Sequence, residues 1–418
     1  MNVKELVRSM GEKARNSAAK LALATASGKN AALESVAEAL EKDKSLIVAE
    51  NEKDLAQGEK DGLSAAMLDR LRLNEKRIRA MIDGVGEVAR LEDPVGKVYD
   101  ERIRPNGLRI HRLKVPIGVI GIIYESRPNV TVDASALTLK SGNAVILRGG
   151  REAIKSNLAL AGVMSRAIES AGLPAASVQL IPTTDREAVG ELLRLEGLVD
   201  LIIPRGGEEL IRRVAENSRI PVIKHYKGIC HVYVDRDADL VMAEEIAFNA
   251  KVQRPGVCNA AETLLVDEPV AEPFLKKMIP RLKNAGVRLV GCERTRLIDP
   301  SVGVATEDDW RTEYLDLVLS VRVVNGIDEA VDHIERYGSR HTDAIVTGNE
   351  KTAEEFVKRV DSSSVMVNAS TRFSDGYQYG LGAEIGISTD KIHARGPMGL
   401  EELTTYKWVV IGSGQLRE

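Results

Sequence analysis

The chain has 418 residues, more than one hydrophobic core usually serves, so two or three domains are expected. Its 58 Lys and Arg residues against 62 Asp and Glu residues give a net charge of −4, with both signs interspersed. With this balance, the chain has no overall positive potential that would attract nucleic acid or an anionic membrane. An anionic substrate must therefore bind to local clusters of cations. Three cysteines cannot build a disulfide framework, the first residues lack a signal-peptide core, and no run reaches the ~20 apolar residues of a membrane span. We therefore predict a soluble cytoplasmic protein with no nucleic-acid or membrane partner.

The first part of the chain has a helical pattern. Apolar residues recur every three or four positions from Val3 to about Arg90, which predicts a layer of helices. Between Val95 and Pro116 the spacing of the apolar residues becomes shorter. The stretch "RIRPNGLRIHRL" places a Pro-Asn-Gly turn between two basic segments that are compatible with strands. A β-hairpin is expected there.

From Ile117 onward, short strands rich in Val and Ile alternate with helical stretches. The first set contains "IGVIGII", "NAVIL", "SVQLI" and "VDLII", and a second set begins near "CHVYVD" and includes "ETLLVD", "DLVLSVRVV", "DAIVTG" and "SVMVN". Such alternation predicts an α/β fold with two parallel-sheet units, each covered on both faces. The last strand, "TTYKWVVIGSG", has no local partner, and we expect it to pair with the hairpin, within the chain or across a subunit boundary.

One of the three cysteines has neighbours that suit catalysis. Cys230 and Cys292 are interpreted as structural, since a cysteine without a partner is usually a small buried residue. Cys258 follows Arg254, Pro255 and Gly256 in "QRPGVC", where a turn can display the thiol and a fixed positive charge can stabilise its thiolate. Plain turn chemistry is the alternative for this stretch. We interpret Cys258 as a candidate nucleophile.

Other common catalytic motifs are absent from the sequence. There is no recognisable Ser/His/Asp motif, HExxH, Walker lysine pattern or GxGxxG after a strand. His225, Cys230 and His231 lie close in sequence but lack the spacing of a zinc site, so no metal is predicted.

Two strand-to-helix turns have phosphate-binding character. They are "NAVILRGGREAIKSN" and "IIPRGGEELIRRV". A strand that opens into a helix N-terminus can hold a phosphate, and arginines strengthen that interpretation. The alternative is an ordinary turn with solvated arginines. The candidate cofactor residues are Arg148, Gly149, Gly150, Arg151, Lys155, Arg205, Gly206 and Gly207.

Several longer stretches carry a specific combined pattern: "ESRPNVTVDASALTLKSGNAVILRGG", "PRGGEELI", "GICHVYVD", "QRPGVCNAAETLLV", "RYGSRHTDAIVT" and "GLGAEIGISTDKIHARGPMGLEELTTYK". From about residue 3 to 411, the chain resembles the γ-glutamyl phosphate reductase family of the aldehyde dehydrogenase superfamily. The resemblance implies an aldehyde dehydrogenase-like fold. It places an NADPH-binding domain at residues 1–100 and 117–228, with about 370–400 returning to it, and a catalytic domain at 229–369. Residues 101–116 and 401–418 would form a small β oligomerisation element.

The resemblance also implies roles for single residues. Cys258 matches the family's nucleophile, and Asn129 of "SRPNVT" is the nearest counterpart of the asparagine that holds the oxyanion together with the cysteine N–H. Glu313 of "TEYLDLVLSV" matches the glutamate that holds the nicotinamide ribose. Arg148 and Arg151 stand where the superfamily has a lysine and a ribose-binding glutamate. A cation in place of that acceptor favours a 2′-phosphate, so NADPH is expected.

The implied reaction is the second step of proline biosynthesis. The thiolate would attack L-glutamyl 5-phosphate, expel phosphate and form a thioester, which NADPH reduces to L-glutamate 5-semialdehyde. Hydrolytic aldehyde dehydrogenases carry a base glutamate in a Glu-Leu-Gly-Gly-type segment where this chain has "HYKGICHV", which favours a reductase. The candidate substrate-binding residues are Arg254, Ser370, Thr371, Arg372 and Arg395.

Alternatives stay open for these residues and for the function. Arg254 can instead lower the thiol pKa or pair with a core carboxylate, and Ser370 and Thr371 can simply cap their own loop. The alternative functions are a hydrolytic aldehyde dehydrogenase, a non-catalytic relative, and a reductase of aspartyl or N-acetylglutamyl phosphate. A homo-oligomer and transient contact with glutamate 5-kinase are also expected.

Overall fold

The helical layer that the sequence predicts is present in the computed structural model, which describes residues 2–417. The helices are α1 Val3–Leu21, α2 Ala26–Lys42, α3 Lys44–Lys60, α4 Ala65–Leu71 and α5 Glu75–Arg90. Four of these helices have an N-cap residue whose side chain accepts a hydrogen bond from the backbone N–H three residues later. The four N-cap residues are Asn2, Thr25, Ser64 and Asn74. Such caps satisfy amide groups that the first helical turn leaves unpaired.

The chain divides into two units. Unit 1 comprises Met1–Lys224, Gly380–Gly386 and Met398–Glu418, and unit 2 comprises His225–Tyr379 and Ile387–Pro397. The residues between 370 and 400 are therefore shared between the units, with only 380–386 and 398–400 in unit 1. The predicted assignment of cofactor binding and catalysis to particular domains stays a prediction.

Unit 1 contains a four-stranded parallel sheet in the order β5-β4-β3-β6. Every residue of its inner strand β3 is buried, as expected for a parallel sheet covered on both faces. The strands are β3 Val119–Tyr124, β4 Ala144–Arg148, β5 Val178–Leu180 and β6 Leu201–Arg205, and the helices between and after them are α6 Asn129–Lys140, α7 Ile154–Ser170, α8 Glu187–Leu192 and α9 Glu208–Asn217.

A separate antiparallel sheet belongs to the same unit. The predicted hairpin forms β1 Val98–Ile103 and β2 Arg109–Pro116, and the last strand, β16 Thr404–Ile411, pairs with β2 from Thr404 opposite Pro116 to Ile411 opposite Arg109. This pairing lies within the chain. Trp408 on β16 is 48% exposed, and the Arg112 guanidinium lies 4.6 Å from its ring centroid.

Unit 2 contains a seven-stranded parallel sheet in the order β10-β9-β11-β8-β7-β12-β13. The strands are β7 Cys230–Val234, β8 Ala261–Asp267, β9 Arg288–Gly291, β10 Gly303–Val304, β11 Val318–Val324, β12 Thr342–Val346 and β13 Ser364–Val367. The helices are α10 Leu240–Val252, α11 Glu268–Asn284, α12 Glu293–Ile298, α13 Glu307–Trp310, α14 Gly326–Tyr337 and α15 Glu350–Arg359. A short antiparallel pair, β14 Ile387–Ser388 and β15 Gly396–Pro397, completes the unit.

Both units agree with the α/β class that the sequence predicts. Branched apolar residues dominate the core of unit 2, where Val232, Leu264, Val321 and Ala344 of neighbouring strands are fully or almost fully buried. Trp310 of α13 is also buried, at 6% exposure. Among residues 2–417, no helix is both long and apolar enough to cross a bilayer.

Candidate active site

Cys258 lies in the turn between α10 and β8 of unit 2. Its side chain is half-buried, and the next residue, Asn259, donates from Nδ2 to the Ser374 carbonyl oxygen at 2.9 Å. Helix α10 ends at Val252, and Pro255 and Gly256 lie in the turn that follows it. The thiol therefore sits on an anchored loop at the entry to a central strand.

The segment before β7 packs against the back of this turn. A Cβ added to Gly228 would overlap the Cys258 main chain, so only glycine allows this approach. Cys230 Sγ donates to the Cys258 carbonyl oxygen at 3.2 Å. These two contacts hold the main chain that carries the candidate nucleophile.

The three thiols differ in their surroundings. Burial raises the pKa of the Cys230 thiol well above its ordinary value, so Cys230 acts as a neutral donor. Cys292 lies at the start of α12, where Sγ is 3.3 Å from Thr295 Oγ1 and accepts from the Val323 N–H at 3.4 Å. Cys258 differs from both, because its sulfur makes neither of these contacts and its turn lies near two arginines.

The two arginines are Arg254 and Arg372. Arg254 is exposed on the Cys258 turn, and Arg372 is half-buried with its Nε donating to Gln253 Oε1 at 2.9 Å. Burial and the neighbouring Arg254 lower the pKa of Arg372, while negative charge at Asp375 and Cys258 raises it. Arg372 therefore lies within electrostatic range of both Cys258 and Arg254.

The remaining predicted substrate residues are engaged in different ways. Ser370 Oγ accepts the Arg372 N–H at 3.3 Å, so this hydroxyl caps its own turn. Thr371 is fully buried, and its hydroxyl has no hydrogen-bond partner among the described residues. Arg395 donates from Nη1 to Asp361 Oδ1 and from Nη2 to the Asp361 carbonyl oxygen, at 2.8 Å each, so its guanidinium is held by this one residue.

Two histidines lie beside Cys258. Ring nitrogens of His225 and His341 and the Cys258 sulfur all lie within 4.8 Å of one another. The two imidazoles meet edge to face with centroids 5.3 Å apart. His231, which neighbours Cys230 in sequence, instead lies 2.7 Å from Asp343 Oδ1 through its Nδ1.

Glu313 also approaches this loop cluster. Its Oε1 accepts the Gly228 N–H at 2.9 Å. The loop that carries Glu313 is anchored by the Leu315 N–H, which donates to Glu262 Oε1 at 3.2 Å, and Glu262 forms a buried ion pair of 2.6 Å with Lys251. Unit 2 thus brings together Cys258, Arg254, Arg372 and Glu313.

Unit 1 contains a cavity of about 500 Å³ at the carboxyl ends of β3 and β4. Of the predicted cofactor residues, Arg148, Gly150 and Arg151 line it. Three further arginines line it too: Arg186, Arg194 and Arg213. Its carboxylates are Glu125, Glu152 and Glu209, so cations outnumber acids and the cavity suits a multiply charged anion.

Glutamate side chains lie against both glycine turns. Glu125 Oε2 accepts the Gly207 N–H at 3.0 Å, and Glu152 Oε1 accepts the Ser126 N–H at 2.7 Å. A Cβ at Gly206 or Gly150 would collide with these carboxylates, and one at Gly149 with Tyr124 and Asn157. The glycines therefore permit close packing at the strand ends.

The other predicted cofactor residues of unit 1 lie away from the cavity lining. Gly149, Lys155, Arg205, Gly206 and Gly207 are not among its lining residues. The Lys155 N–H faces Asp54 of α3, and Arg205 lies beside Asp133 and Gly386.

Asn129 is the first residue of α6, the helix that follows β3 in the chain. Its Nδ2 donates to Asp133 Oδ2 at 2.8 Å, one helical turn further on. Burial raises the pKa of Asp133 to about 6, although the Asn129 hydrogen bond and the Arg205 charge oppose this. Asp133 therefore holds the Asn129 amide in a fixed orientation.

Several of these residues were not identified from the sequence. Gly228 is visible only as the glycine of "GIC", and His341 stands in "SRHTD" without a local partner. Arg186 directly precedes α8, outside both glycine turns, and Arg213 lies on α9, seven residues after Gly206 of the second turn. No short motif could connect them, because their proximity depends on the folded sheet.

Two parallel-sheet units, one with an arginine-lined cavity and one with a cysteine on a turn near two arginines, have the parts of an α/β enzyme that binds an anionic ligand. The model of the aldehyde dehydrogenase family matches residues 2–290. The γ-glutamyl phosphate reductase of Moorella thermoacetica is 59% identical over 418 residues, covering 100% of both chains. The crystal structure of γ-glutamyl phosphate reductase from Thermotoga maritima gives a TM-score of 0.97 at 48% identity, covering 99% of this chain and 100% of the other.

The chain therefore belongs to the aldehyde dehydrogenase family and, within it, to the γ-glutamyl phosphate reductases. Membership in this dehydrogenase family supports a nicotinamide cofactor. An engineered glycolyl-CoA reductase solved with bound NADP+ shares the fold, with a TM-score of 0.67 at 16% identity, covering 97% of this chain and 96% of the other.

Proposed function

We propose that the enzyme reduces L-glutamyl 5-phosphate to L-glutamate 5-semialdehyde, with NADPH as reductant and a thioester on Cys258 as intermediate. The observation that carries the proposal is the setting of Cys258, a half-buried thiol on an anchored turn beside Arg254 and Arg372. The full-length identity to γ-glutamyl phosphate reductases supports the choice of substrate.

The first step is acyl transfer to the sulfur. The Cys258 thiolate attacks the C5 carbonyl carbon, a C–S bond forms, and the C–O bond to phosphate breaks. The leaving phosphate takes the electron pair and is protonated by solvent. Arg254 and Arg372 stabilise the thiolate and attract the dianionic phosphate. The Cys258 N–H is the proposed donor to the carbonyl oxygen while it carries negative charge, and the role of Asn129 stays a prediction from the family resemblance.

The second step returns the sulfur to its thiolate form. Bound NADPH supplies the hydride that the thioester carbon accepts. The hemithioacetal oxyanion then re-forms a carbonyl, the C–S bond breaks, and Cys258 leaves as thiolate with the aldehyde as product. The cations that favoured attack also favour this departure, because they stabilise the thiolate in both directions.

The residues of unit 1 fit an anionic dinucleotide. Arg148 is buried, with Nη2 donating to the Thr184 carbonyl oxygen at 3.1 Å and its Nε without a partner among the described residues. Its guanidinium is thus largely committed to main-chain oxygens. Arg151 and Arg186 are exposed at the cavity, which makes them the better candidates for the 2′-phosphate of NADPH.

Replacing Arg151 by alanine tests the preference for NADPH. Loss of a charge-assisted contact to the 2′-phosphate costs about 1.5–3 kcal/mol, so kcat/KM for NADPH should fall roughly tenfold or more relative to NADH. The measurement is initial-rate kinetics with both cofactors. Arg166→Ala is the matched control, because this exposed arginine of α7 pairs with Asp43 and does not line the cavity. An unchanged NADPH to NADH ratio in Arg151→Ala contradicts the role of Arg151.

Replacing Cys258 by alanine tests the reaction itself. The assay runs backwards, with L-glutamate 5-semialdehyde, NADP+ and inorganic phosphate, and follows absorbance of the reduced cofactor. We expect phosphate-dependent reduction that falls by roughly 10³-fold or more in Cys258→Ala, since no other group can form the thioester. Cys292→Ala, at a half-buried thiol of the same unit, should keep its activity. Equal activity of Cys258→Ala and the native chain would rule out the thioester.

The hydrolytic alternative has one observation in its favour. The segment that replaces the base glutamate places His225 near Cys258, where an imidazole could activate water. Such an enzyme would turn over the semialdehyde without phosphate and release glutamate. Omitting phosphate from the same assay therefore separates the two functions.

We expect the enzyme to act in the cytoplasm as a homo-oligomer. Side chains on β16 support an assembly surface on the three-stranded sheet, because Tyr406, Trp408, Val410 and Ile411 are exposed. Transient contact with glutamate 5-kinase stays a prediction from the family resemblance.

A further inference from the structure

We propose that His225, Cys258 and His341 together bind a thiophilic divalent cation, Zn²⁺ above all, and that this ion masks the nucleophile reversibly. The three side chains come from separate segments of unit 2, and their ligand atoms lie within 4.8 Å of one another. One thiolate with two imidazoles is a donor set that zinc binds in proteins. That the ion inhibits the enzyme rests on the proposed function of Cys258, whereas its binding does not.

The hydrogen bond of His225 prepares this residue as a ligand. Its Nδ1 lies 2.8 Å from the Ile387 carbonyl oxygen, which can only accept, so Nδ1 carries the proton. Nε2 is then the His225 nitrogen that can offer a lone pair to a metal ion. Histidines that bind metals usually have such a second hydrogen bond, which fixes the tautomer and the ring orientation.

His341 is held from its other side. It is fully buried, and its Nδ1 lies 2.9 Å from Thr342 Oγ1 and 3.8 Å from Cys230 Sγ. The edge-to-face arrangement with His225 leaves the two rings at an interplanar angle of 72°. Two imidazoles inclined in this way can direct one nitrogen each toward a common point.

Little movement is needed to complete the site. With Zn–S near 2.3 Å and Zn–N near 2.0 Å, tetrahedral ligand atoms lie about 3.3–3.6 Å apart, so atoms that now lie within 4.8 Å must approach by at most about 1.5 Å. The Cys258 thiol proton is released to solvent as the Zn–S bond forms. The fourth position remains open to water or an anion. Arg254 and Arg372 oppose a cation here, so affinity should be weaker than in a structural zinc site.

The test measures zinc binding without substrate. Chelator-treated protein is titrated with ZnCl₂ by calorimetry, and alkylation of each cysteine by iodoacetamide is followed by mass spectrometry. We expect one ion per chain and alkylation of Cys258 slowed at least about tenfold, with Cys292 unaffected and the rate restored by EDTA. Unchanged alkylation of Cys258 at saturating zinc would overturn the proposal.

Variants locate the ion. His225→Gln should weaken binding at least about tenfold, and Cys258→Ser should abolish it. His111→Gln, at a half-buried histidine of β2 in unit 1, is the matched control and should bind like the native chain. His225 is only half-buried, so its variant should fold even if a variant of buried His341 does not. Native affinity in both His225→Gln and Cys258→Ser would place the ion elsewhere and refute the site.

The outcome is independent of the proposed reaction. Zinc that protects Cys258 in a protein without phosphate-dependent turnover would support the metal site and reject the reductase mechanism. Full reductase activity with no protection of Cys258 by zinc would support the reductase mechanism and reject the metal site.

Discussion

Gly228 lies so close to the main chain of Cys258 that no larger residue fits without movement. The atoms that a Cβ would meet are backbone atoms of Cys258, which cannot turn aside as a flexible side chain can. The Gly228 N–H also donates to Glu313 at 2.9 Å. One glycine therefore supports both the candidate nucleophile and a predicted cofactor residue.

Gly228→Ala should displace Cys258 while the fold is kept. A shift of about 1 Å at a reacting group can lower the rate roughly 10²-fold, and we expect such a loss in kcat. Steady-state kinetics together with circular dichroism provide the measurement. Gly256→Ala is the matched control in the same turn, because the nearest atom to its added Cβ is the Leu315 oxygen at 3.6 Å. A native kcat in Gly228→Ala would show that Cys258 does not depend on this contact.

Helix α6 carries a hydrogen-bonded pair of side chains, Asn129 and Asp133. Asn129 begins the helix, and Asp133 accepts its amide hydrogen bond from one turn later. Because burial raises the pKa of Asp133 to about 6 from 3.8, the folded state holds its proton more tightly than the unfolded chain. Between these values the native state binds more protons, so this group makes stability fall as pH rises from about 4 to about 6.

Asp133→Asn should remove that pH dependence. Relative to the native chain, the variant should gain at most about 3 kcal/mol of unfolding free energy between pH 4 and pH 7, since each pKa unit corresponds to about 1.4 kcal/mol. Urea unfolding across this range, followed by circular dichroism, measures the difference. Asp83→Asn, at an exposed residue of α5, serves as the control. A constant difference between Asp133→Asn and the native chain across the pH range would contradict the raised pKa.

At the scale of the whole molecule, periodicity predicted the architecture well. The helical spacing of apolar residues predicted the helices α1 to α5, and the short runs of Val and Ile predicted the strands of the two parallel sheets. The Pro-Asn-Gly turn predicted the hairpin, where Gly107 has a φ of 87°. These features are local, so a single sequence carries enough information to predict them.

The candidate site was predictable only in part. Cys258 could be singled out because its turn residues and its arginine are neighbours in sequence. The contacts of His225 and His341 with it depend on three segments that meet in the folded unit. The glycine turns indicated the strand ends at the cavity, but Arg186 and Arg194 line it from the two ends of α8, a segment that carries no phosphate-binding pattern.

The positions of the two tryptophans make intrinsic fluorescence informative about each unit. Trp310 is buried in unit 2, and Trp408 is about half exposed on β16 of unit 1. Their emission should therefore differ in wavelength and in accessibility to a soluble quencher such as iodide. A denaturant titration of single-tryptophan chains, Trp310→Phe and Trp408→Phe, would then show whether the two units melt in one cooperative transition or in two.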